Sequence, residues 1–341
     1  AKMASRVIGF DKHAPTAAAA LGMGALSEVA ASAEEAAAAG DLIVIATPAG
    51  TIPEVFKQIA PSISPGAVVT DVGSTKTRIV SEASAACPEG VHFIGGHPIA
   101  GSEKEGIEAA TADLYRGCSW ILTPTDRTDP NAYRVLMRFL SGLSVRVFSL
   151  DASRHDEVVA LTSHLPQLLS SALMGFAAEV SAADGGLPLL SAGGFGDMTR
   201  IASSSPDLWV DIVRENRPAL NDLLRRFIQA LQTAGSALEQ ADYGGLRKML
   251  EEGRRARMSL PGPGGQPGEL IEILVPVDNR AGVLADVTTT VGEAGINIED
   301  IDIIHSPEGG RGTVHLAVSG REPAEAAMEA IRKKGYSAEL G

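Results

Sequence analysis

The sequence predicts three domains: an α/β domain, then an all-α domain, then a small domain of βαββαβ order. Up to about residue 150, short Ile- and Val-rich runs alternate with alanine-rich or amphipathic segments, which is typical of α/β folds. Over residues 151–258 the chain changes to long runs of helical periodicity. Residues 259–268 have the Gly- and Pro-rich composition of a linker, and a compact strand and helix pattern follows over residues 269–341. The first predicted domain therefore spans residues 1–150.

The charge and the cysteine content exclude several classes of function. The chain has 29 basic and 42 acidic residues, a net charge of -13, and no basic stripe, so we expect neither nucleic acid nor a membrane as a partner. Its two cysteines, Cys87 and Cys118, provide neither a disulfide framework nor a cysteine metal site, and we expect no bound metal. No apolar stretch approaches about 18 residues, and no signal-peptide pattern opens the sequence. We therefore expect a globular cytoplasmic protein.

Six apolar runs of the first domain have the length and composition of β-strands. Their near-continuous Ile and Val content indicates strands buried on both faces, as in a parallel sheet covered by helices. The alternation of strands and helices predicts an α/β domain, and the strand-end residues and the resemblance given below imply that it is a Rossmann-like nucleotide-binding domain. The predicted strands span residues 5–11, 41–49, 66–74, 91–97, 119–125 and 145–151.

Two long helical runs dominate the second domain. Residues 152–180 place apolar side chains on one stripe, and residues 205–240 are mostly a second such run. Between them, residues 184–202 contain too much glycine for an uninterrupted helix. By analogy, a helical domain beside a nucleotide-binding domain supplies the substrate site and a dimer interface. The predicted stripe consists of Val158, Leu161, Leu165, Leu168, Ala172 and Phe176.

The third domain has the element order of a ferredoxin-like fold. A strand over residues 269–277 leads through the loop DNRAG to a helix over residues 283–295. The remaining predicted elements are strands 296–306 and 313–320, a helix over 322–335 and a short strand 336–340.

Polar residues follow three of the predicted strands, at the edge where an α/β sheet binds its ligands. Asp11 is placed to accept hydrogen bonds from an adenosine ribose, which favours NAD over NADP; the alternative is an ordinary turn residue. Thr47 and Pro48 form a turn along which a cofactor could pass, and Gly73 allows a close approach just before Ser74. These residues predict an NAD site, although the loop G-x-G-x-x-G that such sites normally have is absent from this sequence.

Five motifs give the chain a resemblance to a known family. In order they are DVGSTK, GGHPIAGSEKEGIEAA, HDEVVALTSHLP, GGFGDMTRIASSSPDLW and ENRPAL, spread over roughly residues 1–255. Their order and spacing resemble those of the prephenate dehydrogenases, the oxidoreductases of tyrosine biosynthesis. The later segment VPVDNRAGVLADVTTTVGEAGINIEDI resembles an ACT domain, a regulatory module that binds small molecules. The first strand and the glycine loop of the family are absent from this sequence. We expect them to have been omitted from the sequence and to be present in the protein, because a buried parallel sheet would not readily tolerate loss of a strand beside its ligand crevice.

The resemblance implies the NAD-dependent oxidative decarboxylation of prephenate to 4-hydroxyphenylpyruvate. Hydride leaves the hydroxyl-bearing ring carbon for nicotinamide, the hydroxyl proton is removed, and loss of carbon dioxide makes the ring aromatic. Such a site needs a base, an aligned hydride acceptor and an anion clamp, but no metal. Arogenate, with an amino group in place of the side-chain keto group, is the alternative substrate, as in arogenate or cyclohexadienyl dehydrogenases. An alternative from another class is a non-catalytic amino-acid-sensing protein on the same scaffold.

The motifs assign these tasks to particular residues. His97 in GGHP is the predicted base, because the usual histidine pKa of about 6.5 leaves it neutral at working pH; alternatively it caps a turn. Ser74 is expected to hydrogen-bond to His97 or to the substrate hydroxyl; the alternative is a serine that caps a helix. Arg200 is the predicted clamp for the ring carboxylate, held by Asp197, although the two could instead form a structural salt bridge. His164 is expected near substrate or nicotinamide, with a core histidine as the alternative.

Further expectations concern the surroundings of this set. Trp209 is expected either to wall the pocket or to belong to a helix core. Ser102 and Glu103 follow GGHP closely and are expected to contact the substrate side chain or to gate the pocket. His155 is expected to support the site, with Asp156 as its partner. The other histidines are interpreted as structural or surface residues: His13, His92, His305 and His315.

The third domain carries a predicted effector site. A loop at the N-terminus of a helix presents free N–H groups, which suit the carboxylate of an amino acid. The resemblance implies tyrosine, the end product, as a feedback inhibitor; alternatively the domain only dimerises. ACT domains usually pair, so we expect a homodimer in either case. The predicted effector positions are Asn279, Gly282, Leu284, Asn297 and Ile298.

Overall fold

The computed structural model describes most of the chain and divides it into two compact units, residues 1–229 and residues 230–341. Within the described ranges, no helix has the length and apolar character needed to span a membrane. Those ranges are residues 3–101, 106–181, 193–260, 270–278, 280–305 and 311–340.

In the described residues of the first unit, seven short strands form two sheets. The strands are β1 (Ile8–Gly9), β2 (Glu28–Val29), β3 (Leu42–Ile45), β4 (Val68–Asp71), β5 (His92–Ile99), β6 (Ser119–Thr123) and β7 (Arg146–Ser149). The larger sheet has the order β3-β4-β5-β6-β7, whereas β1 and β2 form a separate parallel pair. Within the larger sheet β5 and β6 are antiparallel, and the other neighbours are parallel.

Helices cover both faces of the larger sheet. The helices of this region are α1 (Ala14–Gly22), α2 (Ala33–Ala38), α3 (Ile52–Ile59), α4 (Thr77–Ala86) and α5 (Pro130–Gly142). On one face Val69 of β4 belongs to a core cluster with Phe56 of α3 and Ile79 of α4. On the other face the next residue, Val68, packs in a cluster with Leu136 of α5. Because successive strand residues point to opposite faces, both faces of β4 are buried, as its apolar sequence predicts.

The positions of the six predicted strands are confirmed, with three differences from the expected sheet. The first is that β1 pairs with β2 and is not part of the larger sheet. The sequence does not predict β2, because its two residues are exposed and lie in an alanine-rich segment without an apolar run. The expectation of a parallel sheet is wrong for the pair β5 and β6, which is antiparallel. Apolar composition reports how deeply a strand is buried and carries no information on its direction.

The helical part of the first unit begins with α6 (Ala152–Val159) and α7 (Leu165–Ser181), which are joined by a π-helical turn, Ala160–His164. After them come α8 (Gly193–Thr199), a 3-10 turn (Arg200–Ser203), α9 (Pro206–Glu215) and α10 (Arg217–Glu239). Helix α10 continues past residue 229 into the second unit.

The predicted apolar stripe of this region coincides only in part with its buried face. Leu165 is buried as predicted, but Leu161 is 56% exposed and Phe176 is 64% exposed. Two residues outside the stripe, His155 and Ala160, are buried. The π-helical turn inserts a residue into the helical repeat and rotates the buried face, which a regular 3.6-residue period cannot anticipate.

The second unit contains helix α11 (Tyr243–Met258) and the predicted ferredoxin-like domain. The elements of that domain are β8 (Leu270–Asp278), α12 (Val283–Glu293), β9 (Asp300–His305), β10 (Arg311–Ser319), α13 (Arg321–Lys333) and β11 (Glu339–Leu340). Its antiparallel sheet has the order β11-β8-β10-β9. Ile273 and Val275 of β8 pack with Val287 of α12 and Ile331 of α13 in one core, so the predicted βαββαβ order is confirmed.

Candidate active site

His97 lies near the carboxyl end of β5, and two glycines precede it. The N–H of Gly96 donates to Oδ1 of Asp71 at 3.0 Å. A Cβ on Gly96 would lie 2.6 Å from the backbone oxygen of Asp71 and 2.8 Å from Oγ1 of Thr70. Similarly, a Cβ on Gly95 would collide with neighbouring side chains. The glycines therefore let β5 pack closely against the neighbouring backbone and side chains.

A chain of hydrogen bonds runs from His97 to an aspartate. Nδ1 of His97 lies 2.8 Å from Nε2 of His155, and Nδ1 of His155 lies 2.9 Å from Oδ1 of Asp156. Because a carboxylate only accepts, His155 carries its proton on Nδ1 and accepts at Nε2. His97 then donates from Nδ1, which leaves the lone pair of its own Nε2 available. The predicted partnership of His155 and Asp156 is confirmed, whereas its extension to His97 is new.

The surroundings of His97 keep its ring neutral. Burial holds the pKa of His97 well below the usual 6.5, and the nearby His155 and Lys76 act in the same direction. A neutral imidazole with a free lone pair is the form in which a histidine serves as a base.

Asp156 also fixes the start of helix α4. Its Oδ1 accepts the backbone N–H of Lys76 at 2.7 Å, and its Oδ2 accepts that of Thr77 at 2.8 Å. Burial alone would raise the pKa of Asp156, but hydrogen bonds from His155 and Thr77 hold it below its usual value. The carboxylate is therefore charged at neutral pH, when it both caps α4 and orients His155.

A fully buried lysine lies beneath the histidines. Nζ of Lys76 pairs with the carboxylate of Asp71 and donates to the backbone oxygen of Gly96 at 2.8 Å. Burial lowers the pKa of Lys76, while the charge of Asp71 opposes that change. Asp71 also accepts the N–H groups of Gly73 and Gly96. Since a buried ion pair is tolerated only when its remaining groups are hydrogen-bonded, this set holds β4 and β5 together next to His97.

His164 is buried on the π-helical turn, where Asn216 fixes it. Nδ2 of Asn216 lies 3.1 Å from Nδ1 of His164 and also donates to the backbone oxygen of Asp156 at 2.8 Å. The ring of Trp209 meets that of His164 edge-on, with centroids 5.9 Å apart. Burial lowers the pKa of His164 to about 4, so the ring is neutral. These contacts give the buried His164 a hydrogen-bond partner and connect it to Asp156 through Asn216. A direct contact of His164 with the substrate stays a prediction.

Ser74 and Arg200 are the remaining predicted catalytic or substrate-binding residues that the structure describes. Ser74 is partly buried after β4, and His155, rather than Ser74, occupies Nδ1 of His97. Arg200 begins the 3-10 turn and is exposed, as is Asp197 in α8, and the pairing of these two stays a prediction. Two further predicted substrate residues lie outside the described ranges: Ser102 and Glu103.

The predicted cofactor residues follow strands β1, β3 and β4. Asp11 is exposed, and its Oδ1 accepts the N–H of His13 at 2.7 Å, so it forms a turn and keeps its second oxygen accessible. Thr47 and Pro48 are exposed after β3. A Cβ on Gly73 would lie 2.7 Å from a side chain of α3, so packing requires glycine there. An exposed carboxylate and hydroxyl at strand ends fit the ribose and phosphate groups of a dinucleotide. In the described residues, no group of three or more His, Cys, Asp or Glu side chains is arranged to hold a metal ion.

The predicted effector residues lie at the start of α12 and before β9. Gly282 caps α12 with φ of 89°, a left-handed conformation that favours glycine. Leu284 is 39% exposed, Asn297 donates to a neighbouring glutamate at 3.0 Å, and Ile298 packs against the core. Asn279 lies outside the described residues.

Three residues of this network have no role predicted from the sequence: Asp71, Lys76 and Asn216. The first two lie in DVGSTK and the third in ENRPAL, both of which are motifs of the resemblance. The available signal is a charged or amide side chain inside such a motif. Its partners come from distant segments and become visible only in the fold.

Comparisons with known proteins cover the whole of this architecture. The prephenate dehydrogenase nucleotide-binding domain matches residues 2–149, the prephenate dehydrogenase dimerization domain matches residues 151–252, and the ACT domain matches residues 271–335.

Characterised relatives agree with these domain matches. Prephenate dehydrogenase of Bacillus subtilis (strain 168) is 31% identical over 334 residues, which cover 95% of this chain and 89% of the relative. The crystal structure of A. aeolicus prephenate dehydrogenase with hydroxyphenyl propionate and NAD+ aligns at 30% identity with a TM-score of 0.69, over 75% of this chain and 90% of that one. Synechocystis arogenate dehydrogenase aligns at 29% identity with a TM-score of 0.63, over 73% of this chain and 89% of that one. The chain therefore belongs to the prephenate dehydrogenase family of NAD-dependent oxidoreductases.

Proposed function

We propose that this protein oxidises and decarboxylates prephenate to 4-hydroxyphenylpyruvate with NAD. The observation that carries the proposal is the Asp156–His155–His97 chain, which fixes a proton on Nδ1 of His97 and leaves Nε2 as a neutral base. Bound NAD supplies the acceptor for the hydride. Nε2 of His97 takes the hydroxyl proton as the carbonyl forms, and general-base help of this kind is worth about 10² to 10⁴ in rate.

The other groups bind and orient. Arg200, assisted by Asp197, clamps the ring carboxylate through its planar guanidinium. Ser74 hydrogen-bonds to the substrate hydroxyl, since His155 already occupies Nδ1 of His97. The remaining predicted substrate contacts are His164, Trp209, Ser102 and Glu103.

NAD is held at the carboxyl ends of the strands. The carboxylate of Asp11 accepts hydrogen bonds from the adenosine ribose, which favours NAD over NADP. The turn at Thr47 and Pro48 and the segment Gly73–Ser74 follow the dinucleotide. Exposure of Asp11, Thr47 and Pro48 supports this assignment.

The decisive experiment is formation of reduced nicotinamide by the purified protein with prephenate and NAD. His97→Asn should preserve prephenate affinity and lower turnover by orders of magnitude, while Arg200→Ala should chiefly weaken prephenate binding. An unchanged rate in His97→Asn would remove His97 from the mechanism, and unchanged affinity in Arg200→Ala would remove the clamp. Binding of tyrosine without binding of NAD would favour the amino-acid-sensing alternative.

Arogenate is the second candidate substrate, because the similarity to Synechocystis arogenate dehydrogenase is nearly as high as that to the A. aeolicus enzyme. The two substrates differ only in the side-chain keto or amino group. A comparison of kcat/KM for both substrates decides between them, and a ratio above one for arogenate would reverse the assignment.

Tyrosine is the proposed effector of the ACT domain, bound near the start of α12. The left-handed Gly282 supports this site, because it turns the chain so that α12 begins with free N–H groups. Gly282→Ala should weaken inhibition of the reaction by tyrosine and leave the rate without tyrosine unchanged. Equal inhibition of both proteins would place the effector elsewhere. The other proposed contacts are Asn279, Leu284, Asn297 and Ile298.

A homodimer is the proposed assembly. Exposed apolar side chains on the helical part of the first unit support it, among them Phe176 and Val180 of α7. Phe176→Glu combined with Val180→Glu should shift the molar mass measured by light scattering from dimer to monomer, and an unchanged mass would exclude this face. The domain limits at residues 150, 258 and 268 and the cytoplasmic location stay predictions.

A further inference from the structure

The turn after β3 is held by two side chains, one of which lies on α9, outside the nucleotide-binding region. Both backbone groups of Gly50 in this turn are engaged. Its N–H donates to Oδ2 of Asp211 in α9 at 2.9 Å, and its oxygen accepts from Nη2 of Arg78 in α4 at 2.5 Å. A Cβ on Gly50 would lie 2.3 Å from Oδ1 of Asp211, so the contact requires glycine.

Arg78 is in turn held by carboxylates. Its Nε donates to Oε2 of Glu215, at the end of α9, at 2.7 Å, and the side chain of Glu215 is only 8% exposed. Nη1 of Arg78 pairs with Glu54 of α3 and Glu82 of α4. Although pairs at the surface contribute little, the bond to Glu215 is charge-assisted and largely shielded from water.

The same helix reaches the histidines. Trp209, two residues before Asp211, contacts the ring of His164, and Asn216, just after the helix, bonds to His164 and to the backbone of Asp156. Helix α9 therefore contacts the proposed cofactor turn through Asp211. Through Trp209 and the adjoining Asn216 it also contacts His164 and Asp156, which lie beside the proposed base.

We infer that Asp211, Glu215 and Arg78 are positioning residues that hold the turn of residues 47–51 in the form that binds NAD. The inference rests on the proposed assignment of Thr47 and Pro48 to the cofactor. None of the three positioning residues needs to touch NAD. Their effect is to remove the freedom of a short exposed turn before the cofactor binds, which is a preorganisation effect on affinity.

The test is the variant Asp211→Ala, with Asp207→Ala as its matched control. Asp207 lies one turn earlier on α9, carries the same charge and is exposed. Loss of a hydrogen bond to a charged group should raise the Kd of NAD, measured by calorimetry, and its KM about tenfold in Asp211→Ala. The KM of prephenate should change less than about threefold, and Asp207→Ala should behave as the wild type. Asp211→Asn, which keeps an acceptor oxygen, should restore part of the NAD affinity.

A second variant protects the test against simple loss of folding. In Gly50→Ala the new methyl group displaces the carboxylate of Asp211, so it should weaken NAD binding to a similar degree. In the double variant Gly50→Ala/Asp211→Ala, NAD affinity should be little lower than in Asp211→Ala alone, because the carboxylate that the methyl group would meet is absent. Unchanged NAD affinity in both single variants, or an equal rise in the KM of NAD and prephenate, would overturn the inference. If the wild type binds NAD but does not convert prephenate, prephenate is rejected as the substrate. The role of Asp211 is still decided in that case, because it is tested by the Kd of NAD.

Discussion

The carboxylate of Asp156 accepts the backbone N–H of Lys76 at 2.7 Å and so joins the helical region to the first turn of α4. The same oxygen accepts a hydrogen bond from Nδ1 of His155, and the other oxygen accepts one from the N–H of Thr77. One side chain thus caps a helix and sets the tautomer of a histidine. Its contributions to stability and to catalysis should be separable.

Asp156→Asn should lower kcat and destabilise the fold. An amide has one acceptor oxygen, so the N–H of Thr77 would face an NH₂ group, and the charge that favours the Nδ1–H tautomer of His155 is lost. We expect a fall in kcat of about 10- to 100-fold, with little change in the KM of prephenate, and a loss of about 1 to 2 kcal/mol of unfolding free energy.

The matched control for this change is Asp151→Ala, which removes both capping hydrogen bonds of α6. Asp151 caps α6 by accepting the N–H groups of Ser153 and Arg154 and has no histidine partner in those contacts. This variant should lose a similar amount of unfolding free energy, measured with urea, and should keep the wild-type kcat. If the two variants lose activity equally, the role of Asp156 is structural only.

The sequence predicts this site unevenly, for physical reasons. Adjacent residues such as His155 and Asp156 reveal a pairing, since the two side chains lie at one helix start. The contact of His97 with His155 spans 58 residues and depends on how α6 packs against β5, which local patterns do not encode. Asn216 illustrates the same limit, because its partners lie 52 and 60 residues earlier in the chain.

The fold shows a similar division. Apolar runs predict where strands lie, because burial selects Ile and Val at each position. They do not predict that β5 and β6 are antiparallel, nor that a π-helical turn precedes α7. The turn matters for the site, since it directs His164 inward to Asn216 and leaves Leu161 exposed.

The rate should depend on pH as expected for a base of low pKa. Burial lowers the pKa of His97 well below 6.5, and the base functions when it is unprotonated. The value of kcat/KM for prephenate should therefore rise with pH in the acid range, with the midpoint of the rise below pH 6.5. It should be constant around neutral pH. An acid limb with its midpoint at or above 6.5 would show that His97 is not held neutral.

Stability should fall in acid because of His164. Its pKa is about 4 in the folded chain, against 6.5 when unfolded, so the unfolded chain binds more protons between these values. The free energy of unfolding should therefore drop as the pH falls from 6.5 toward 4, by about 2 kcal/mol from this residue at pH 5. Urea unfolding of the wild type and of His164→Asn at pH 7 and pH 5 measures the difference. If the unfolding free energy of the two proteins changed equally between pH 7 and pH 5, His164 would not be the cause of the loss in acid.

Gly96→Ala tests the packing that sets the position of His97. The new methyl group would lie 2.6 Å from the backbone oxygen of Asp71 and 3.0 Å from Nε1 of Trp120, so β5 must move away from β4. A loss of about 1 to 3 kcal/mol in unfolding free energy is expected, together with a lower kcat, because the ring of His97 moves relative to His155. Gly175→Ala in α7 is the control, since a Cβ there meets nothing within 4 Å and alanine favours a helix. If Gly96→Ala kept the wild-type kcat and stability, the tight contact between β4 and β5 would not be what places the base.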